Sequence, residues 1–324
     1  MGIKRLAILT SGGDAPGMNA AIRSAVRFSL AKGIEIWGIY RGFEGLLEEE
    51  IRPLSFQDVG GIIVRGGTML KTARSRRFFL REMQEKAAEI LRKREIDGLL
   101  VVGGDGSMAG AAALEALGVA TAVIPATIDN DMGGTEETVG FDTAVNTALD
   151  ALRKIRDTAS SHDRAAIVEV MGRHAGYIAL AAGLSGGAEF ILVPEIPFDE
   201  DKLAQKLSVM TKEGRTNSII LCAEGATDAH VLGKQIAEKT GIDTSVTILG
   251  YIQRGGAPTA KDATLATVLA AKAIDGLLLG KSGFLAGMLD GHPHCISYKD
   301  AFSDIRKFPE EIWELAMQIG NGEI

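Results

Sequence analysis

The stretch Leu6-Ala7-Ile8-Leu9-Thr10-Ser11-Gly12-Gly13-Asp14-Ala15-Pro16-Gly17-Met18 decides the fold class. Four apolar residues with no polar alternation read as a short strand buried on both faces. A glycine-rich turn follows, and then Met18, Ile22, Ala25 and Val26 recur at helical spacing up to about Lys32. The same order returns at Asp97-Gly98-Leu99-Leu100-Val101-Val102, a strand that stops at Gly103 and leads into a helix over Ser107 to Leu117. Between the two, Ile34 to Tyr40 reads as a strand, and Leu80, Met83, Ala87 and Ile90 mark a helix. Further strands are expected at Val119–Ile124, Ala165–Val170, Ile191–Val193, Ser218–Cys222 and Val246–Leu249. A long helix carries Phe141, Ala144, Val145, Ala148, Leu152 and Ile155 on one face; others start at Asp199 and Asp228, and a later one holds Leu265, Val268 and Leu269. Strands alternating with helices predict an α/β protein with parallel sheets covered on both faces.

The chain has 324 residues, enough for about two domains. Its 46% hydrophobic share excludes wholesale disorder. Its 40 glycines are well above the roughly 7% of an average protein and show no collagen period, so the excess belongs to turns and backbone-lined sites. The 35 basic and 42 acidic residues leave a net charge of −7, against a general nucleic-acid binder. A few arginines can still form a local phosphate pocket. Cys222 and Cys295 make no disulfide framework and no CxxC occurs, which favours a reducing, cytoplasmic setting. Met1 to Thr10 lacks the build of a signal peptide. Tyr177 to Val193, the longest apolar stretch, contains three glycines and Glu189, and reads as helix, turn and strand, with no membrane span expected. No linker or fixed-period repeat divides the chain, so two domains would require it to cross between them more than once.

In sheets of this kind ligands sit beyond the carboxyl ends of the strands, where the glycine-rich stretches fall. Thr10 to Asn19 suits a phosphate cradle at a helix start, or a plain tight turn. Gly103-Gly104-Asp105-Gly106-Ser107 places a carboxylate inside such a cradle. That is repulsive to phosphate unless a divalent cation intervenes, so Asp105 is a candidate Mg²⁺ anchor, or else a helix cap. Pro125-Ala126-Thr127-Ile128-Asp129-Asn130-Asp131 ends a buried strand with two carboxylates. One can take a proton from an attacking hydroxyl while the other holds metal or sugar, or the run is an Asx-rich turn. Arg65-Gly66-Gly67-Thr68 leads to Lys71-Thr72-Ala73-Arg74, where Arg74 suits a transferring phosphoryl group; Arg76, Arg77 and Arg81 read as a solvated basic face. Ser161 to Arg164 and Val168 to Arg173 form a further group, the latter ending a strand in an arginine, which suits an anionic ligand.

Several motifs fail. Gly276 to Ser282 has three residues between its glycines where a Walker loop needs four, and follows a helix. Gly104, Gly106 and Gly110 give GxGxxxG, only a weak echo of a dinucleotide fingerprint. His292-Pro293-His294 is too sparse for a metal site, and neither His162 nor His174 has an evident base role. HExxH is absent.

In order, TSGGDAPGMNA (10–20), RGGT (65–68), GGDGS (103–107), TIDND (127–131), SSHDR (160–164), VEVMGR (168–173) and LGYIQRGG (249–256) resemble the bacterial ATP-dependent 6-phosphofructokinase family from about Leu6 to Gly280. The resemblance implies two Rossmann-like three-layer α/β/α domains with the active site in the cleft between them. A larger nucleotide-binding domain would take 1–140 and 252–303, and a smaller sugar-phosphate domain 141–251 and 304–324. It implies phosphoryl transfer from ATP to the 1-hydroxyl of fructose 6-phosphate with Mg²⁺. Asp129 would be the base, Asp105 would serve the metal, and Arg74, Thr127 and Arg173 would share in catalysis. Gly13, Phe43, Arg74, Gly104, Gly106 and Ser107 would hold the nucleotide. Thr127, Asp131, Met171, Gly172, Arg173, Glu224 and Tyr251 would surround the sugar. Arg164, reaching in from a neighbouring subunit, and Arg254 would bind its 6-phosphate, in a homotetramer. Arg23, Arg27, Arg156 and Arg215 would line an effector site, where Phe56, Glu213 and Asn217 depart from the family's basic residues.

Other departures bear on substrate. Ser245 stands where the family places a second phosphate-binding arginine, and Tyr251 where it places a histidine. One lost charge-assisted contact is worth about 1.5–3 kcal/mol, so weaker sugar-phosphate binding or a changed acceptor is expected. Phe43 replaces a tyrosine near the nucleotide base, keeping an aromatic platform. Pyrophosphate-using relatives carry Asp and Lys at the positions of Gly106 and Ala126; both residues are small here, which favours ATP. The competing readings are a related sugar kinase or pyrophosphate-dependent enzyme, a non-catalytic regulatory paralogue, and a nicotinamide oxidoreductase. No nucleic-acid or membrane partner is expected.

Overall fold

The computed structural model describes residues 2–215 and 217–320. In chain order it runs β1 (Arg5–Thr10), α1 (Met18–Ala31), β2 (Glu35–Ile39), α2 (Gly42–Leu47), β3 (Ile51–Pro53), α3 (Arg81–Lys93), β4 (Gly98–Gly103), α4 (Asp105–Glu115) and β5 (Thr121–Pro125). Then come α5 (Phe141–Ser161), β6 (Ala165–Val170), α6 (Tyr177–Gly186), β7 (Phe190–Leu192), α7 (Glu200–Lys212), β8 (Ser218–Ala223), α8 (Ala229–Thr240) and β9 (Thr244–Ile248). Last are α9 (Ala260–Leu278), β10 (Phe284–Leu289), β11 (His292–Ser297), α10 (Tyr298–Ser303) and α11 (Glu310–Gly320). The chain forms two compact units of three segments each. The first is Met1–Ile128, Met132–Thr143 and Arg254–Arg306; the second is Asp129–Asp131, Ala144–Gln253 and Lys307–Ile324.

The first unit holds a seven-stranded sheet in the order β11-β10-β5-β4-β1-β2-β3. Its five central strands are parallel, while β3 and β11 pair antiparallel at the two edges. The apolar runs of β1 and β4 follow from double-sided burial. Ala7, Leu9, Leu99 and Val101 pack into one cluster with residues of α2, α3 and α4. Leu6, Ile8, Leu100 and Val102, one residue out of step, serve the other face, where α1 and α9 pack together. The chain leaves β1 toward β2 on one side and returns to β4 on the other. The carboxyl ends of β1 and β4 are thus a topological switch point.

The second unit holds a four-stranded parallel sheet in the order β7-β8-β6-β9. Helices α6 and α11 pack against β7, and α8 against β6 and β9. Helices α7 and α8 start where Asp199 and Asp228 accept hydrogen bonds from the next two free N–H groups, as those carboxylates predict. No helix of the described residues is long and apolar enough to cross a membrane.

Candidate active site

Both glycine-rich loops of the first unit open from the switch point. Ser11 N–H donates to Val102 O at 3.0 Å, so the two loops start side by side. A Cβ on Gly103 would lie 2.4 Å from Ser107 Oγ and 2.5 Å from Ser11 O, so only glycine lets these backbones meet. Ser107 is buried in the first turn of α4, and Asp105 and Gly106 are exposed beside it. A Cβ on Gly106 would meet nothing within 4 Å. A helix start of this kind turns backbone N–H groups outward, and the helix dipole favours an anion there.

The segment carrying Arg74 is tied to this cradle. Thr72 Oγ1 donates to Gly12 O at 2.8 Å, and Thr10 Oγ1 to Lys71 O at 2.8 Å. Asn19, buried in α1, donates to Arg65 O and Gly66 O and accepts from Met69 N–H at 2.7 Å. Arg74 itself is exposed. Arg77 departs from the solvated face expected of it: its guanidinium pairs with Glu44 at 2.6 Å and with Glu48, fastening the segment to α2. Arg81 does lie on an exposed face, paired with Glu85 one turn on.

Thr127 follows β5 and lies against Gly104, whose Cβ would stand 3.6 Å from that of Thr127. The loop from Ala126 to Gly140 closes on itself through a parallel bridge between Ala126 and Val139 and a 2.7 Å hydrogen bond from Thr138 Oγ1 to Thr127 O. Asp129 is 5% exposed, and Asn130 adopts φ 55°, a conformation that Asn tolerates better than most residues. Arg254 lies along the first glycine loop: a Cβ on Gly13 would be 3.1 Å from its Nη1. The first unit therefore gathers Gly13, Gly104, Ser107, Thr127 and Arg254 around the ends of β1, β4 and β5.

In the second unit β6 is followed by Met171-Gly172-Arg173 and β8 by Glu224. Glu224 Oε1 accepts from Arg173 N–H at 2.8 Å and from Gly172 N–H at 3.3 Å. Gly172 has φ 143° and Arg173 φ 55°, so this carboxylate stabilises a turn that an arginine rarely adopts. Met171 N–H donates to Gln253 Oε1 at 3.3 Å, and Gln253 Nε2 to Gly250 O at 3.0 Å, which fixes the segment holding Tyr251. Tyr251 is 80% exposed.

Arg164 stands apart from these residues. It precedes β6, whereas Met171, Gly172 and Arg173 follow it, and six strand residues span about 20 Å. Arg164 Nε pairs with Asp243 Oδ2 at 2.6 Å, its side chain 44% exposed. Ser245 is at the same end of the sheet, in register with Ala166. Asp131 is half-buried.

Phe43 is 5% exposed, stacked on Phe78 with ring centroids 4.3 Å apart and covered by Gly110, so its visible role is packing beneath α4. Of the four candidate effector arginines, Arg23 and Arg27 lie one turn apart on α1, with Arg27 over the Phe56 ring. Arg156 is committed to Glu189, Gly186 O and Gly187 O. Arg215 lines a cleft of about 410 Å³ in the second unit with Glu189, Asn217, Met210 and Ile319.

A family model described as Phosphofructokinase matches residues 5–277. The chain belongs to the phosphofructokinase family. A relative from Clostridium tetani named ATP-dependent 6-phosphofructokinase is 52% identical over 314 residues, covering 97% of this chain and 98% of the relative. One from Clostridium perfringens, named ATP-dependent 6-phosphofructokinase 1, is 48% identical over 98% of this chain and 99% of its own length. Among solved structures, phosphofructokinase from Saccharomyces cerevisiae superposes with a TM-score of 0.85 at 34% identity. It covers 98% of this chain, which spans about half (47%) of the yeast chain. Pyrophosphate-dependent phosphofructokinase from Marinobacter aquaeolei gives the same TM-score of 0.85 at 23% identity, covering 99% of this chain and 93% of its own, a likeness of fold alone.

Within this phosphofructokinase fold, the residues that sequence reasoning missed are those holding others in place. Thr72 and Gln253 lie inside quoted stretches but carry no role there, their partners Gly12 and Met171 being far away in sequence, and Asp243 and Asp262 lie outside every quoted stretch. Glu169, on β6, is another: burial pushes its carboxyl above the ordinary range, and Ala229 N–H donates to it at 3.4 Å.

Proposed function

We propose that this chain is an ATP-dependent 6-phosphofructokinase, transferring the terminal phosphoryl group of ATP to the 1-hydroxyl of fructose 6-phosphate. One observation carries the reading. A glycine-walled helix start, with room at Gly106, adjoins Thr127, two residues before a nearly buried carboxylate at Asp129. An anion cradle and a base two residues along are what phosphoryl transfer to an alcohol needs. The near full-length likeness to relatives named ATP-dependent 6-phosphofructokinase supports the donor and the acceptor.

On this reading Gly13, Gly104, Gly106 and Ser107 hold the phosphates through backbone N–H groups and one hydroxyl, and Arg74 steadies the group in flight. Asp129 accepts the proton of the attacking hydroxyl. The new O–P bond forms as the bond to the leaving ADP oxygen breaks. Arg173, Met171, Gly172, Glu224 and Asp131 orient the sugar, with Tyr251 beside it. Asp105 suits Mg²⁺, which prefers one or two carboxylates plus substrate phosphates; among the described residues no group of three or more His, Cys, Asp or Glu could hold a metal by itself. The cation would neutralise charge building between the phosphates.

Arg164 binds the 6-phosphate of a neighbouring copy. Its position at the opposite end of β6 from Arg173 supports this, since the two cannot serve one sugar within one chain. A homotetramer follows the family pattern, and a cytoplasmic setting suits the substrates. The cleft beside Arg215 is the proposed effector site. Arg156 is occupied by Glu189, and Glu213 adds negative charge in the same region, so anionic effectors should bind it weakly. The test is a coupled assay of the purified chain with fructose 6-phosphate and ATP, beside pyrophosphate and other sugars. Turnover of a different acceptor, with none of fructose 6-phosphate, would defeat the reading.

A further inference from the structure

Helices α5 and α9 start beside each other, and each caps the other. Asp262, in the first turn of α9, is 1% exposed. Its carboxylate accepts from Gly140 N–H at 2.9 Å, Thr143 N–H at 2.7 Å and Thr143 Oγ–H at 2.6 Å. Two of these donors are backbone groups at the start of α5 with no partner inside that helix. Thr143 Oγ1 in turn accepts from Thr259 N–H at 3.0 Å, ahead of α9. Thr259 Oγ1 accepts from Asp262 N–H at 3.3 Å and donates to Asp142 Oδ2 at 2.6 Å. Lys261 adds an ion pair to Glu137 at 2.7 Å.

Thr259-Ala260-Lys261-Asp262 has the spacing of a reciprocal capping box, in which the acidic side chain would turn back to its own helix start. Here it turns away to α5 and leaves that N–H to Thr143. A buried carboxylate costs more than an exposed one unless its hydrogen bonds are charge-assisted and complete. The arrangement therefore serves a purpose that a local cap would not.

Each helix is preceded by a loop that carries site residues. Ala126 to Gly140 leads into α5 and holds Thr127, Asp129 and Asp131. Arg254 to Pro258 leads into α9 and holds the arginine that lies on Gly13. Gly17 allows the close approach: it has φ 107°, and a Cβ there would stand 2.6 Å from Val139 Cγ1 and 3.7 Å from Asp262 Cβ.

We propose that Asp262 is a positioning residue: through Gly140 and Thr143 it fixes the far end of the loop bearing Asp129 and sets that loop's register against the segment bearing Arg254. This rests on the phosphotransfer reading above, in which Asp129 is the base. Asp262 touches no substrate.

The test compares Thr143→Val, Thr143→Ser and Asp262→Asn, with wild type alongside. Val keeps the shape of Thr and removes the hydroxyl; Ser keeps the hydroxyl. Asn puts an NH2 group against N–H donors. For Thr143→Val, kcat per folded molecule should fall by about 10–100-fold with the KM for ATP unchanged, as expected for a misplaced reacting group. Thr143→Ser should stay near wild type. Amide exchange should speed up in residues 126–140, by about tenfold, and not in β1 or β4. Asp262→Asn should exceed Thr143→Val in both measures if it folds; Thr143→Val decides the matter if it does not. A Thr143→Val protein with lowered melting temperature but wild-type kcat, or with uniform exchange, would overturn the proposal. Exchange is read without reference to the reaction, so a wild-type chain inactive on fructose 6-phosphate would count against the functional reading alone.

Discussion

At the strand ends of the first unit the groups proposed to face a ligand are backbone and small: Gly13, Gly104, Gly106 and the buried hydroxyl of Ser107. At the strand ends of the second they are long side chains. Arg173 is held on a rarely used backbone conformation by Glu224, Tyr251 is largely exposed, and Arg164 is at the wrong end of its own sheet, steered by an exposed Asp243. A backbone cradle is built by packing and needs only its own chain. A charged side-chain site depends on what enters it and, on the proposed role of Arg164, on a second copy. The phosphate cradle should therefore be hard to retune, and acceptor choice easy to retune.

The largest expected effect lies where the two meet in sequence, at Asp129. Asp129→Ser should lower kcat by about 10²–10⁴-fold, the usual worth of a positioned base, while ATP binding by the cradle is unchanged. Steady-state kinetics with nucleotide titration checks both halves. Full activity would remove the base from Asp129.

Arg164→Ala comes next. Loss of one charge-assisted phosphate contact should raise the KM for fructose 6-phosphate by roughly 10–150-fold and leave the KM for ATP alone. Mixing subunits sharpens the contrast. At low fructose 6-phosphate, dissociated and reassembled Asp129→Ser and Arg164→Ala proteins should recover activity that neither has alone, because some mixed interfaces pair an intact base with an intact arginine. No recovery would place Arg164 outside any shared site.

These contrasts explain what the sequence made legible. The strand, glycine loop and helix at Leu6–Met18 and at 97–110 could be read because double-sided burial and backbone geometry leave local signatures. Ala165–Val170 matched its strand to the residue for the same reason. The β10–β11 hairpin was missed: Pro293 sits in an edge strand, where a missing N–H costs little, so nothing in the run spells a strand. β3, three residues long, has too little pattern to detect. Arg77 looked like solvated charge because its carboxylate partners lie about thirty residues back. Asp262 was passed over because its contacts lie 119 and 122 residues away and its local spacing suggests an ordinary cap. Phe43 matched an aromatic-platform pattern, and only coordinates show Phe78 and Gly110 against its ring.

Two glycines three residues apart then separate packing from ligand room within the cradle. Gly103→Ala forces a methyl to within 2.4 Å of Ser107 Oγ and 2.5 Å of a backbone oxygen. Overpacking of this kind costs about 1–3 kcal/mol, so denaturant unfolding should show a clear loss. Gly106→Ala meets no atom within 4 Å and needs no unusual φ, so its stability should stay within about 0.5 kcal/mol of wild type. Folding does not require glycine at 106, so if its smallness has a use, that use is room for a ligand. The KM for ATP should then rise several-fold in Gly106→Ala with the melting temperature unmoved, and Gly106→Asp should weaken ATP further by bringing a carboxylate to the phosphates. A Gly106→Ala enzyme with unchanged ATP kinetics would mean that the donor phosphates pass elsewhere, and the cradle would then owe its glycines to packing alone.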